Sequence, residues 1–320
     1  MSSRPTTIRL PGEGHWVAWL GHKIRYVALG SETEDRYCLS DAEVLGGGGA
    51  DPHRHSFAEG FYVLDGNVRF LLGSSTHDLS RGDYVHIPGG LTHRPEVTSE
   101  AAKLLNIATP AGFDRFQMEA GESLTDENSD GNLDPETVQR RIRSAAAGYE
   151  IEMDSSPQTD DSVAPHLCRS VDGEVVDAVG DRYRFLAEAD QTGGRYALWH
   201  AEISPGGGPP PHRHSREDES FYVLEGNVQF EADGVRQVGG PGTFVNLPIG
   251  SVHRFENIGD KPAKMLVLVT PAGLETMFRR TGTLVRRPDD PIRPPDGDEI
   301  QRLHAISPEY GVELFDADEH

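Results

Sequence analysis

The chain has 320 residues, enough for two domains of ordinary size, each burying its own core. Its formal net charge of −22 works against phosphate backbones and anionic membranes, both of which reward clustered Lys and Arg. No apolar run approaches the roughly 18 residues that cross a bilayer, and the first residues lack the apolar core of a signal peptide. The expectation is a soluble cytoplasmic protein that binds neither nucleic acid nor membrane.

The 36 glycines and 22 prolines are spread along the chain, which suits many short strands joined by tight turns and points to an all-β fold. Cys38 and Cys168 are too few for a disulfide framework, although one bridge between them stays open. From the start, Lys23–Leu29 and Arg36–Leu39 read as strands. From Tyr37 onwards the chain has a counterpart about 160 residues later. Tyr37, Leu39 and Glu43 match Tyr196, Leu198 and Glu202, and His53 falls on His212. Phe61-Tyr62-Val63-Leu64-Asp65-Gly66-Asn67-Val68 is repeated as Phe221-Tyr222-Val223-Leu224-Glu225-Gly226-Asn227-Val228. Pro88 and His93 match Pro248 and His253, and Thr109-Pro110-Ala111-Gly112 recurs at Thr270-Pro271-Ala272-Gly273. The chain is a tandem duplication whose unit is domain-sized, far above the 20 to 50 residues of a solenoid repeat.

Each copy closes with helical signals. Phe113, Phe116 and Met118 in one, and Leu274, Met277 and Phe278 in the other, are apolar at helical spacing. Residues 135–142 and 298–303 predict a second helix in each copy, followed by Tyr149 and Tyr310. Between the copies, residues 154–162 are polar and without periodicity. The expected division is therefore a first domain at 1–154, a linker at 155–165 and a second domain at 166–320.

His53 and His55 alternate with Arg54 along a strand, so both imidazoles point to one face, as do those of His212 and His214. Glu59 and Glu219 open the next strand, and His93 and His253 return after a Pro-x-Gly turn. Three imidazoles and a carboxylate without thiolate suit one divalent transition metal ion per domain: Fe, Mn, Ni, Co or Zn. One isolated His-x-His is more often surface or core than ligand, but the full set occurs twice. The remaining histidines, His22 among them, show no ligand spacing and read as structural or surface.

These residues resemble the two motifs of the cupin superfamily, and in particular its two-domain members, the bicupins. Gly47, His53, His55, Glu59 and Gly66 fit the first motif, as do Gly206, His212, His214, Glu219 and Gly226. Gly242, Pro248, Gly250, His253 and Asn257 complete the second; the first copy matches it at Gly82, Pro88, Gly90 and His93, with Val97 in place of the Asn. The resemblance implies a tandem pair of cupin barrels (double-stranded β-helix, or jelly roll), each with an ion inside and short helices after it. The run Glu217–Gly226 and the Thr-Pro-Ala-Gly segments look most like quercetin 2,3-dioxygenase-type bicupins. That likeness implies a metal-dependent dioxygenase cleaving a flavonol or similar aromatic enol with O₂.

On this reading the six histidines and two glutamates hold the metals, and Glu59 or Glu219 also acts as the catalytic base. Strand alternation from the glutamate sends Phe61 and Val63, or Phe221 and Val223, inward as an apolar wall for substrate; ordinary barrel core explains them equally. Tyr62 and Tyr222 should point outward. Phe113, Phe116, Leu274 and Phe278 suit either a lid over the barrel or plain helix-on-sheet packing. Two other functions fit the fold: a bicupin decarboxylase or lyase acting on a small carboxylate, and a non-catalytic ligand-binding cupin. A small dianion needs a cationic partner, and the loops Gly46–Ala50 and Gly206–Pro210 carry none. Exposed barrel edges make a homodimer the expected assembly.

Overall fold

The computed structural model describes residues 4–153, 164–287 and 290–316. Up to residue 163, the expected linker lies outside them. The chain divides into two compact units, Gly12–Asp172 and Met1–Pro11 with Gly173–His320. Their ends depart from the division expected at 154 and 166. The strand Thr7–Arg9 pairs with Phe244–Leu247 and so belongs to the second unit, whereas His166–Cys168 pairs with Tyr84–Ile87 of the first. Three-residue edge strands carry too little pattern to announce which sheet they complete.

Each unit is a pair of antiparallel sheets, one of eight strands and one of five. In the first unit the large sheet has Ala58–Asp65 between Ala101–Thr109 and Tyr84–Ile87. Its small sheet runs Ile151–Met153, His53–His55, His93–Val97, Asn67–Leu72, Ser75–Ser80. The second unit repeats this with Asp218–Glu225 between Ala263–Thr270 and Phe244–Leu247, and with His212–His214 between His253–Asn257 and Val312–Leu314. The all-β jelly roll expected from the sequence is thus present twice.

Alternation makes each core. In the second unit Phe221, Val223, Val228, Phe230, Val245 and Leu247 come from both sheets into one apolar cluster. Val63, Val68, Phe70, Val85 and Ile87 do the same in the first. Tyr62 and Tyr222, expected outside the barrel, are nevertheless buried. Cys38 and Cys168 are both free thiols, so the bridge left open by the sequence does not form.

The helices appear where the spacing predicts them, at Phe113–Ala120 and Pro135–Ala145 in the first unit and at Glu275–Thr281 and Gly297–Ile306 in the second. Asp134 and Asp296 cap the later helix of each pair by accepting from the backbone N–H of Thr137 and Glu299. After that helix the chain returns as a three-residue strand beside the His-x-His strand, setting Ile151 opposite His55 and Val312 opposite His214. Arg54 and Arg213 point away from the barrel interior and pair with Glu152 and Glu313 on these returning strands.

Glycine is required where the loop before the histidines crosses the small sheet. Gly49 (φ +149°) and Gly208 (φ +136°) lie so close to the next strand that a Cβ would stand 2.0 Å from the Pro95 carbonyl oxygen and 2.1 Å from that of Phe255.

Arg4 secures the N-terminal segment to its unit. Its guanidinium donates to both oxygens of the buried Asp218 carboxylate, at 2.7 and 2.8 Å, and the Ile249 N–H donates to the same group. Replacing Arg4 by Ala removes the two guanidinium hydrogen bonds to that buried carboxylate. We expect a loss of about 3 kcal/mol in chemical denaturation of the second unit, with the first unit unaffected.

Candidate metal centres

The four ligand candidates of each unit come from facing sheets. The glutamate is carried by the large sheet, and the three histidines by the small one. Strand register brings the outer histidines together: His53 pairs directly with His93, and His212 with His253, their ring centroids 4.3 and 4.2 Å apart. In each set the four donor atoms lie within 4.8 Å of one another, and all eight residues are buried.

The hydrogen bonds decide which nitrogens face inward. His53, His55 and His93 each donate from Nδ1 to a backbone carbonyl, those of Asp51, Phe57 and Leu91, at 2.8 to 2.9 Å. A carbonyl can only accept, so Nδ1 carries the hydrogen and a neutral ring presents a lone pair at Nε2. Glu59 Oε2 lies 3.0 Å from Nε2 of both His55 and His93. Lone pairs of nitrogen and carboxylate at that distance repel unless a proton or a metal cation stands between them.

The second unit repeats the pattern. Nδ1 of His212 and His253 donate to the Pro210 and Ser251 carbonyls, and Glu219 Oε2 lies 3.0 Å from His253 Nε2. His214 Nε2 is buried and makes no hydrogen bond, with Glu219 Oε2 3.3 Å away. An orphaned nitrogen facing a carboxylate inside an apolar barrel fits a metal ion, and ligand bonds of about 2.0–2.2 Å are compatible with these separations.

Protonation points the same way. Burial, followed by the neighbouring His93, pushes the His53 imidazole down to about 3, so it is neutral at pH 7. Burial and His253 bring His212 down to about 4. Burial alone would raise the Glu59 and Glu219 carboxyls, but the facing imidazoles outweigh it and hold both below the ordinary carboxylate range. Burial lowers His214, but the Glu219 and Glu217 carboxylates outweigh it and raise that imidazole to about 9. Each centre thus sets an ionised carboxylate against buried imidazoles. The sequence therefore encodes two His/Glu metal-binding sites, one per barrel.

A cavity opens beside each set. The one in the first unit, about 160 Å³, is lined by His53 and Glu59 together with Trp19, Phe61, Phe113, Phe116 and Ile142. The one in the second, about 60 Å³, is lined by His212, His214 and Glu219 with Trp199, Phe221, Leu274 and Phe278. Phe61 and Phe221 therefore reach the cavities. Val63 and Val223 are absent from both linings and sit in the barrel cores. The helix residues Phe113, Phe116, Leu274 and Phe278 line cavity and pack on the sheet at once.

Three lining residues were not singled out by spacing. Asn106 donates to Glu59 Oε1 at 3.1 Å, fixing the oxygen that faces away from the histidines. His22 lines the first cavity, where burial lowers its imidazole pKa. Asp181 lines the second, where burial raises its carboxyl to about 7 against the lowering effect of the Ser204 N–H. The repeat carries a signal for two of them, since His22 and Asp181 occupy matching places in the two copies.

Two stretches of the chain, residues 41–108 and 199–269, match the cupin domain family. Each of the two stretches contains one complete His/Glu set. Quercetin 2,3-dioxygenase of Bacillus subtilis (strain 168) is 25% identical to it over 287 residues, spanning 85% of this chain and 84% of that protein. Among solved structures, a variant of Bacillus subtilis oxalate decarboxylase superposes with a TM-score of 0.59 at 19% identity, covering 85% of this chain and 79% of that one. The same decarboxylase at pH 4.6 gives 0.58 at 17% identity, with 85% and 77% covered. At such identities the superpositions speak for the fold alone. No helix among the described residues is long and apolar enough to cross a membrane.

Elemental analysis should find two metal ions per chain, one in a His53→Ala, His55→Ala variant, and none once His212 and His214 are also replaced. Asp181 should mark the pH dependence of stability. Its folded pKa lies above the unfolded value of 3.8, so its neutral form favours folding below about pH 4 and stability falls as pH rises towards 7. Asp181→Asn should therefore gain melting temperature relative to wild type between pH 4 and 8, because a folded pKa one higher than the unfolded value costs the ionised form about 1.4 kcal/mol.

Proposed function

We propose that the protein is a metal-dependent dioxygenase that cleaves a flavonol or similar aromatic enol with O₂. The observation that carries this reading is a buried, ionised carboxylate beside three buried imidazoles, at the end of a cavity walled mainly by aromatic and aliphatic side chains. Similarity to a quercetin 2,3-dioxygenase along 85% of the chain supports it.

His53, His55, Glu59 and His93, and His212, His214, Glu219 and His253, hold the ions. A divalent ion in such a cage supplies Lewis acidity and open coordination positions for substrate and oxygen chemistry. The residues do the rest. Glu59 or Glu219 accepts the enol proton, and Asn106 holds the Glu59 carboxylate in orientation through Oε1. Phe61 and Phe113 present apolar faces to a planar aromatic substrate, with Phe221 in the equivalent place in the second unit. Val63 and Val223 back these walls from the core, and the helices exclude water. A cytoplasmic location and a homodimer formed through barrel edges belong to the same reading.

A decarboxylase of small dicarboxylates needs a buried cation to meet a dianion. Among the described residues lining the first cavity, the only arginine or lysine is Arg143, exposed on its helix. The lining of the second cavity contains neither.

The test is incubation of metal-loaded protein with quercetin under argon and under air. Carbon monoxide should appear only with O₂. A Glu59→Gln, Glu219→Gln double variant should lose about 100-fold or more in turnover. Aerobic wild-type protein that releases no carbon monoxide from any flavonol contradicts the assignment.

A further inference from the structure

The two centres differ in ways that the repeated ligand set conceals. Glu219 lies one residue further from its histidines than Glu59, and the additional length brings in Glu217. Its carboxylate accepts a hydrogen bond from His214 Nδ1 at 3.0 Å, with both side chains buried. The matching His55 donates only to the neutral Phe57 carbonyl. A carboxylate on the far nitrogen makes an imidazole a stronger donor and locks its tautomer and ring orientation.

The residues in and behind the cavity walls differ between the copies. The first unit has Tyr26, Ser40 and Gln117, with the Tyr26 hydroxyl donating to Gln117 Oε1. The second has Phe185, Trp199 and Phe278, three aromatic rings packed on one another with the Trp199 centroid 6.1 Å from Phe185 and 5.5 Å from Phe278. Strand register confirms the match, since Ser40 faces Tyr26 and Asn106 while Trp199 faces Phe185 and Val267. The second cavity, with a fully buried indole where the first copy has a serine, measures about 60 Å³ against about 160 Å³. A groove of about 720 Å³ on the outside of this barrel borders His214 but leaves that residue only 3% exposed.

We propose that the C-terminal centre is an ion-retaining site, in which Glu217 strengthens and positions His214 as a ligand and Trp199 fills the space through which solvent and small molecules would reach the ion. The N-terminal centre, with a neutral carbonyl behind His55 and the roomier cavity, exchanges its ion readily. This rests on the two His/Glu sets binding metal and is independent of the dioxygenase reading.

The test is release of Co(II) from fully loaded protein into excess EDTA, followed by visible absorption and by elemental analysis of the desalted protein. Wild type should lose its two ions in two phases. His253→Ala should remove the slow phase, and His93→Ala the fast one. Glu217→Gln keeps an acceptor oxygen but removes the charge; it should speed the slow phase 10- to 100-fold, shift the C-terminal Co(II) spectrum, and leave the fast phase unchanged. Trp199→Ser should also speed the slow phase, and the milder Trp199→Phe serves if the serine variant does not fold. Release in a single phase, a slow phase that survives His253→Ala, or a slow phase indifferent to Glu217→Gln overturns the proposal.

Discussion

The structure depends on one juxtaposition inside each barrel: a carboxylate from the large sheet set against three imidazoles from the small one. Glu59 and Glu219 sit on strands flanked on both sides by ladder partners, so their position is fixed by two sets of backbone hydrogen bonds. The histidines are fixed by direct pairing of His53 with His93 and of His212 with His253. Carbonyls or a carboxylate behind each ring then turn the free nitrogens inward. Four buried polar groups converge where an apolar core would otherwise continue, and the burial of lone pairs against a carboxylate is compensated by a cation.

Around that constraint the rest of each unit acts as support. The helical tail covers the barrel with Phe113 and Phe116, or with Leu274 and Phe278. It also delivers the strand that flanks His-x-His, so that Ile151 and Val312 stand beside the ligand strand. The glycines at 49 and 208 let the preceding loop cross at a distance no side chain permits. Duplication has kept all of this while the residues behind the ligands have diverged: Asn106 supports Glu59 where Val267 stands in the second copy, and Glu217 supports His214 where a backbone carbonyl supports His55.

Much of the site is legible in the chain because its information is local. His-x-His follows the period of a strand, Pro-x-Gly-x-x-His marks a return, and two copies check one another. The fold class and the helices at 113, 135, 275 and 297 follow from the same kind of periodicity. Information carried by packing between distant strands escapes. His22 and Asp181 have no spacing relation to the ligands and reach the cavities only through the sheet. Tyr62 and Tyr222 alternate as expected yet are buried, because alternation gives a side chain's face and not what covers that face. Val63 shares a face with Phe61 but lies further along the strand, in the core. The contrast between Ser40 and Trp199 is visible on aligning the copies, but its meaning depends on the cavity that both residues line.

The positions of the bound ions are the most direct test. Anomalous diffraction from crystals of the Co(II)-loaded protein should give two peaks per chain. Each should lie about 2.0–2.2 Å from three histidine Nε2 atoms and one glutamate oxygen, one peak among His53, His55, Glu59 and His93 and the other among His212, His214, Glu219 and His253. Peaks elsewhere, or ligation through Nδ1, would contradict two buried His/Glu centres.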